Sequence, residues 1–361
     1  VTAELTPGPL ADMVRTTPTV LWNDSADLAE LSESIGFGGV GATCNPVIAY
    51  TTIKKYPEVW TPRIQQIAAD NPTMSEAEIG WVAVRRMSVE AAELLLPAFE
   101  RYAGRNGRLS VQTDPRLHRD GAALVEQAVE FSQLAPNIIV KIPATAIGVA
   151  AMEEATYRGV SINATVSFSV PQALAVGEAV ERGLMRREAE GLDVSTMGPV
   201  VTIMVGRLDD WLKVVAQRDG IDVDPAHLEW GGVAAFKQAY RIFGERGYRS
   251  RLLSAAFRNT LQWSEFIGGD VVISPPFAWQ EKIQASGVTA EPRIDNPVAP
   301  EVMESLLGLE DFRRAYEPDG MAPSEFASFP PTARTLRQFL AADADLDALV
   351  RDVLIPSPDP A

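Results

Sequence analysis

The sequence predicts a (β/α)8 barrel, an α/β fold, on two observations: eight short β-branched apolar runs, and amphipathic stretches between them. The runs are near-continuously apolar rather than alternating, as strands covered on both faces must be. Residues 19–23 form the first run, and the amphipathic stretch 25–35 follows, opening at the helix-start pair Asp24-Ser25. The second run is 39–43. Residues 44–108 separate it from the third, 109–113, which is room for two or more helices, 75–101 among them. The stretch 120–134 leads to the fourth run, 138–142, and 147–158 leads to the fifth, 161–166. Pro171 lies near the start of 171–190, where its fixed φ suits a first helical turn. The sixth run is 200–205. After a second long interval that contains 233–245 come the seventh, 251–257, and the eighth, 270–274.

Both long intervals read as helical insertions, and no linker divides the chain. Residues 1–361 are therefore expected to be a single barrel domain with extra N- and C-terminal helices. From 286 to 331, Pro, Gly and acidic residues predict a looser excursion. Amphipathic helix returns at 332–354, with a frayed end at 356–361.

Composition narrows the function. The chain is 46% hydrophobic and 22% charged, as an ordinary globular protein is. A net charge of −16 repels a phosphate backbone or an anionic membrane surface, so neither nucleic acid nor membrane is expected as a partner. No apolar stretch approaches 18 residues, and 1–15 lacks the pattern of a signal peptide. Cys44 is the sole cysteine, which excludes an internal disulfide or cysteine metal cluster and suits a cytoplasmic location. Only His118 and His227 are present, which disfavours serine–histidine hydrolysis and histidine-ligated zinc. Acid–base chemistry falls to carboxylates, hydroxyls, amines and water.

Lys141 stands out within Ile139-Val140-Lys141-Ile142-Pro143. The other five lysines (Lys54, Lys55, Lys213, Lys237, Lys282) lie in stretches that read as polar helix faces. Burial favours a neutral amine, which Schiff-base chemistry needs; the plain alternative is a strand-end lysine that snorkels to water. In such barrels reacting groups come from the C-terminal strand ends. Those ends offer Asp24, Asn45, Gln112 with Asp114, Lys141, Asn163 with Thr165, Thr202 with Arg207, and Arg258 with Asn259. Together they make a coherent set for a class I aldol reaction: an amine, a carboxylate, amide and hydroxyl donors, and arginines for a phosphate. Each has a plainer reading. Asp24 also suits an N-cap, Asn45-Pro46 a turn, Thr165 a core hydroxyl, and Arg207 and Arg258 surface ion pairs.

The run 139–145 with Gly148, followed by Gly159-Val160-Ser161-Ile162-Asn163-Ala164-Thr165 and Phe168-Ser169 with Gln172-Ala173, resembles the transaldolase family. So do Trp22-Asn23-Asp24-Ser25, Thr43-Cys44-Asn45-Pro46, Gln112-Thr113-Asp114-Pro115-Arg116, Val205-Gly206-Arg207-Leu208-Asp209 and Phe257-Arg258-Asn259, so that the resemblance covers 21–283. It implies that Lys141 forms an imine with a ketose donor and that Asp24 is the acid–base for carbon–carbon cleavage. It further implies that Asn45 and Thr165 orient donor hydroxyls and a water, and that Arg207 and Arg258 bind the phosphate of a phosphorylated sugar. Asn163 and Thr202 are expected to line the substrate. The family moves a dihydroxyacetone unit without metal or organic cofactor, by default in the pentose phosphate pathway, as a dimer or monomer.

Four positions depart from the family pattern: Gln112 in place of a proton-relaying glutamate, Met204 of a pocket aromatic, Thr202 of a serine, and Ala256 of a phosphate-side serine. Glutamine at position 112 is similar to the fructose 6-phosphate aldolases, which release free dihydroxyacetone, although those are much shorter. The alternatives to transfer are therefore a lyase of that kind and a non-catalytic sugar-phosphate binder.

Overall fold

A computed structural model describes residues 5–358, and in it all eight runs are parallel strands closed into a barrel in sequence order. The strands are β1 (Val20–Asn23), β2 (Gly39–Cys44), β3 (Arg108–Gln112), β4 (Ile138–Pro143), β5 (Ile162–Thr165), β6 (Val200–Ile203), β7 (Arg251–Ala255) and β8 (Val272–Ser274). The helices run α1 (Pro9–Thr16), α2 (Leu28–Gly36), α3 (Pro46–Lys55), α4 (Pro57–Asp70), α5 (Glu76–Arg101), α6 (Gly121–Ser132), α7 (Ala146–Tyr157) and α8 (Val170–Ala189). They continue with α9 (Val205–Asp219), α10 (Pro225–Leu228), α11 (Gly231–Arg246), α12 (Leu261–Ser264), α13 (Phe277–Ala285), α14 (Pro300–Leu307), α15 (Glu310–Tyr316) and α16 (Pro330–Leu354). Among the described residues no helix is long and apolar enough to cross a membrane.

The barrel is filled, as closed eight-stranded sheets must be. Trp22, Ile139, Val200, Leu253 and Val272 pack into its interior. Gly41 is glycine because a Cβ there would lie 2.4 Å from the Trp22 indole. A larger apolar layer joins the strands to the surrounding helices.

Three expectations need correction. The first amphipathic helix begins at Leu28, not Ser25, and its N-cap is Asp27, whose carboxylate accepts from the N–H groups of Ala29 and Glu30. The excursion at 286–331 is more ordered than its composition suggests: α14, α15 and a 3-10 turn at Pro323–Ser328 lie in it, and Phe312 and Phe326 are buried. Lys237 is not on a polar helix face. Its ammonium is nearly enclosed, ion-paired to Glu265 at 2.7 Å, and donates to the Arg293 and Asn296 carbonyls. The expected fraying at 356–361 and the reading of 1–15 fall partly outside the described residues, at 359–361 and 1–4.

The end of β4 is braced from below by α7. Thr145 caps this helix, its hydroxyl accepting from Gly148 N–H at 3.0 Å. A Cβ on Gly148 would sit 1.7 Å from the Pro143 carbonyl oxygen, so only glycine lets the helix approach the strand so closely. Gly148→Ala is expected to lower stability by roughly 2 kcal/mol or more through overpacking, read as a fall in the urea midpoint at unchanged m-value.

Candidate active site

Lys141 projects from β4 into the barrel mouth, in register with Gln112 of β3 and Asn163 of β5. Residues paired across neighbouring parallel strands lie level on the same face, so these three form one tier. Lys141 is 6% exposed, and its ammonium has no hydrogen bond or ion pair among the described residues. Burial lowers its pKa; the charge of Arg207 pushes the same way, while Asp24 and Cys44 oppose. It is a buried amine without a counter-ion at contact, and burial shifts its equilibrium toward the neutral form.

Asp24 is the half-buried residue directly after β1. The Thr43 hydroxyl donates to its Oδ1 at 2.5 Å, and its own N–H donates to the Pro275 carbonyl at 3.2 Å. The preceding residue is clamped by Gln280, whose Nε2 donates to Asn23 Oδ1 at 2.7 Å. Because Asp27 caps α2, the capping alternative for Asp24 falls away, and its second oxygen is left for other work. Asn45 does cap a helix: its Oδ1 accepts from Ile48 N–H at 3.0 Å at the start of α3, and its Nδ2 has no partner among the described residues.

Below this rim lies a polar tier. Thr202 donates to Asn163 Oδ1 at 2.8 Å, and Asn163 Nδ2 donates to Ser110 at 3.1 Å. Asn163 and Thr202 are thus already tied to each other across β5 and β6. Thr165, 1% exposed, keeps a hydroxyl free of any hydrogen bond among the described residues. Gln112 is 2% exposed, yet neither its Oε1 nor its Nε2 has a partner among the described residues. Buried amides are rarely left so.

Arg207 and Arg258 are brought together by Gly206, where a Cβ would lie 2.0 Å from the Ala256 carbonyl and 2.7 Å from Arg258 Cγ. Burial and the neighbouring Arg258 lower the Arg207 pKa. Arg258 is held at 3.0 Å by Asp210, so the surface ion-pair reading describes part of its environment. Arg207 has no carboxylate partner among the described residues. Its Nη1 instead donates to Gln338 at 2.6 Å and Thr335 at 3.3 Å, both on α16, and its buried Nε is unpaired. Two strand-end candidates turn elsewhere. Asp114 pairs with Arg116 at 2.8 Å, and Asn259 donates to Glu229 at 2.6 Å.

Several positioning groups escaped the sequence reading. Gln262 accepts from the Arg258 N–H at 2.5 Å and donates to Asp209 at 2.6 Å; Asp209 in turn accepts from Gly232 N–H at 2.6 Å. Burial pushes the Asp209 pKa up to about 7. Gln172, fully buried, donates to the carbonyls of Ala144 and Val166 and so joins the ends of β4 and β5. Gln172 and Asp209 fall within the motifs that carry the resemblance, without a role assigned there; for Gln262 a polar side chain inside a helical pattern is the only signal. Val166 and Ala256, at the ends of β5 and β7, adopt φ of 51° and 62°, values unusual for non-glycine residues and frequent where a site is held under strain. The larger surface clefts, one of about 620 Å3 beside Tyr240 and Arg249, contain none of the candidate residues, so strand ends rather than cleft size locate the site.

Comparison with known proteins agrees with the barrel fold. The family described as Transaldolase/Fructose-6-phosphate aldolase matches residues 21–323. The chain is 35% identical over 237 residues to the Transaldolase of Thiobacillus denitrificans, covering 62% of this chain and 64% of that protein. It is 32% identical over 212 residues to Transaldolase 1 of Streptomyces avermitilis, covering 57% and 54%. To the Transaldolase of Mycolicibacterium smegmatis it is 30% identical over 228 residues, covering 62% and 61%. The chain thus spans between half and two thirds of the length of these curated relatives. With a family match that includes every barrel strand, this chain belongs to the transaldolase/fructose-6-phosphate aldolase family.

Proposed function

We propose that this chain is a transaldolase, which moves a three-carbon dihydroxyacetone unit from a ketose phosphate to an aldose phosphate through an imine on Lys141. The observation that carries the reading is the buried, unpaired Lys141 in one tier with Gln112 and Asn163, close enough to Asp24 to feel its charge. A neutral amine adds to the donor carbonyl; loss of water leaves a cationic imine that withdraws electrons from the adjacent carbon–carbon bond. In this reading Asp24 takes the proton of the hydroxyl next to that bond, so cleavage releases an aldose, and returns it when the new acceptor arrives. Thr165 and the free Nδ2 of Asn45 hold the donor hydroxyls. Asn163 and Thr202 line the floor.

Arg207 and Arg258 are assigned to the substrate phosphate. The Arg258 charge disfavours that of Arg207, and a dianion between them removes that cost. The N-terminus of α9, from which Arg207 projects, adds unpaired backbone N–H groups. Gln338 and Thr335 occupy Arg207 meanwhile. The reading extends to one barrel domain over 1–361, phosphorylated sugars as partners, and a cytoplasmic location in keeping with a lone buried cysteine.

The assay is fructose 6-phosphate with and without erythrose 4-phosphate. Turnover that requires the acceptor supports transfer; equal turnover without it, with free dihydroxyacetone accumulating, shows a lyase instead. The same assay on Gln112→Glu is expected to show a several-fold higher transfer rate, because a carboxylate at this position can exchange a proton where an amide cannot. An unchanged or lower rate removes Gln112 from the proton path.

A further inference from the structure

Helix α16 lies beyond the residues the family match covers, yet it docks on the barrel mouth and brings a buried carboxyl with it. Asp343 is 2% exposed. Its Oδ2 stands 2.9 Å from Arg116 Nε, on the turn that follows β3, as an ion pair without an aligned hydrogen bond. Asp343, Gln112, Asn45 and Trp81 line one small cavity of about 10 Å3, roughly the space that holds a single water. On its wall neither amide atom of Gln112 has a hydrogen-bond partner among the described residues, and the Trp81 N–H is turned toward an Asp343 carboxyl whose Oδ2 accepts no aligned hydrogen bond. Each such group costs free energy when left dry, and one water with two to four polar neighbours satisfies them together.

We propose that Asp343 is a positioning residue for the reaction at Lys141: through one water in this cavity, its carboxyl sets which way the Gln112 amide faces. The inference rests on Lys141 being the imine-forming amine. An ionised carboxylate accepts only, so the water donates to it and accepts from Gln112 Nε2–H, leaving Oε1 turned to the lysine side. A protonated carboxyl donates to the water, which then donates to Gln112 Oε1, and the amide presents N–H instead. Beside an amine that must lose protons and a carbinolamine that must lose water, acceptor and donor faces are not equivalent.

The groups that bear on this carboxyl are Arg116 and Asp114 after β3, Asp347 on α16, Trp81 on α5 and the Cys44 thiol of β2. Burial is the largest influence and Asp114 adds to it; Arg116 opposes them, Asp347 raises, and the Trp81 N–H, turned toward the carboxyl, lowers. The outcome is a pKa raised to about 7. Cys44, raised by burial to about 12, stays neutral through that range. A switch in amide orientation therefore falls near neutral pH.

The test uses the whole chain with fructose 6-phosphate and erythrose 4-phosphate, and borohydride trapping on the wild type as reference. Asp343→Asn is expected to lower kcat on the order of tenfold at a KM within about twofold, and to erase the limb of the kcat–pH profile near neutrality. In a Gln112→Met background the same substitution is expected to add nothing, because Asp343 acts through that amide. Arg116→Gln leaves the carboxyl in place and removes an influence that lowers its pKa, so the limb should move to higher pH. Superimposable wild-type and Asp343→Asn profiles overturn the proposal, as does a full Asp343→Asn loss in the Gln112→Met background. A wild type that forms no borohydride adduct overturns the imine reading and this inference with it; an adduct with an unaltered Asp343→Asn profile overturns this inference alone.

Discussion

Lys141→Met is expected to abolish turnover, a loss on the order of 10^5-fold in kcat/KM, while raising the thermal midpoint. Both effects come from one property. In the proposed reaction the Lys141 nitrogen is the covalent attachment point, and no neighbouring lysine can replace it: the others lie on α3, α9, α11 and α13. The stability change follows from linkage. Burial places the Lys141 pKa below that of the unfolded chain. Below the folded-state pKa both states are protonated and folding bears the full cost of burying the ammonium. The cost declines as pH rises through the folded pKa toward the unfolded value near 10.4, because the folded state has already lost its proton there. Methionine fills similar space without a charge, so the gain in midpoint should be largest below the folded-state pKa and shrink as pH rises through it. A loss of both activity and stability would mean that the amine is part of the framework rather than its chemistry. Mass spectrometry after borohydride reduction with fructose 6-phosphate supplies the direct reading: an adduct on the Lys141 peptide in the wild type and none in the variant.

Asp24→Asn carries the second large effect, a fall in kcat of about 10^3-fold with imine trapping retained. Asparagine keeps an oxygen for the Thr43 hydroxyl and leaves the backbone bond to Pro275 untouched, so the loop should hold its shape. What disappears is a group able to accept the proton of the donor hydroxyl, the step that precedes cleavage; removing a general base typically costs 10^2- to 10^4-fold. The substituted enzyme should therefore accumulate the reduced adduct at least as well as the wild type while turning over far more slowly. Equal losses in trapping and turnover would place Asp24 before imine formation instead of after it.

These two experiments rest on residues that were legible early. Lys141 was visible because an ammonium inside a β-branched run conflicts with the strand's burial, and such conflicts mark sites. Asp24 was visible only as one polar residue at a strand end, with a cap as its rival. The rival was removed by a three-residue shift in where α2 begins, which hydrophobic periodicity does not resolve and Asp27 decides. The ordered excursion at 286–331 was hidden for a related reason: Pro and Gly content signals turns, whereas the burial of Phe312 and Phe326 that anchors α15 and the 3-10 turn depends on distant partners.

The eight strands and their order are already written in the local pattern, because period and β-branching are local properties and a parallel closed sheet is how such runs bury both faces. So are the residue types at the strand ends. What those residues face depends on contacts between elements distant in the chain. Asn163 and Thr202 turned to each other across β5 and β6. Gln262 and Asp209 came together to hold the backbone of Arg258. Most of all, α16 folded back over the mouth, giving Arg207 its partners Gln338 and Thr335 and setting Asp343 beside Gln112. Residues 112 and 343 are far apart along the chain, and no local pattern encodes their meeting. Packing does, because α16 has an apolar stripe to bury against α3 and α5 and carries its carboxyl there with it.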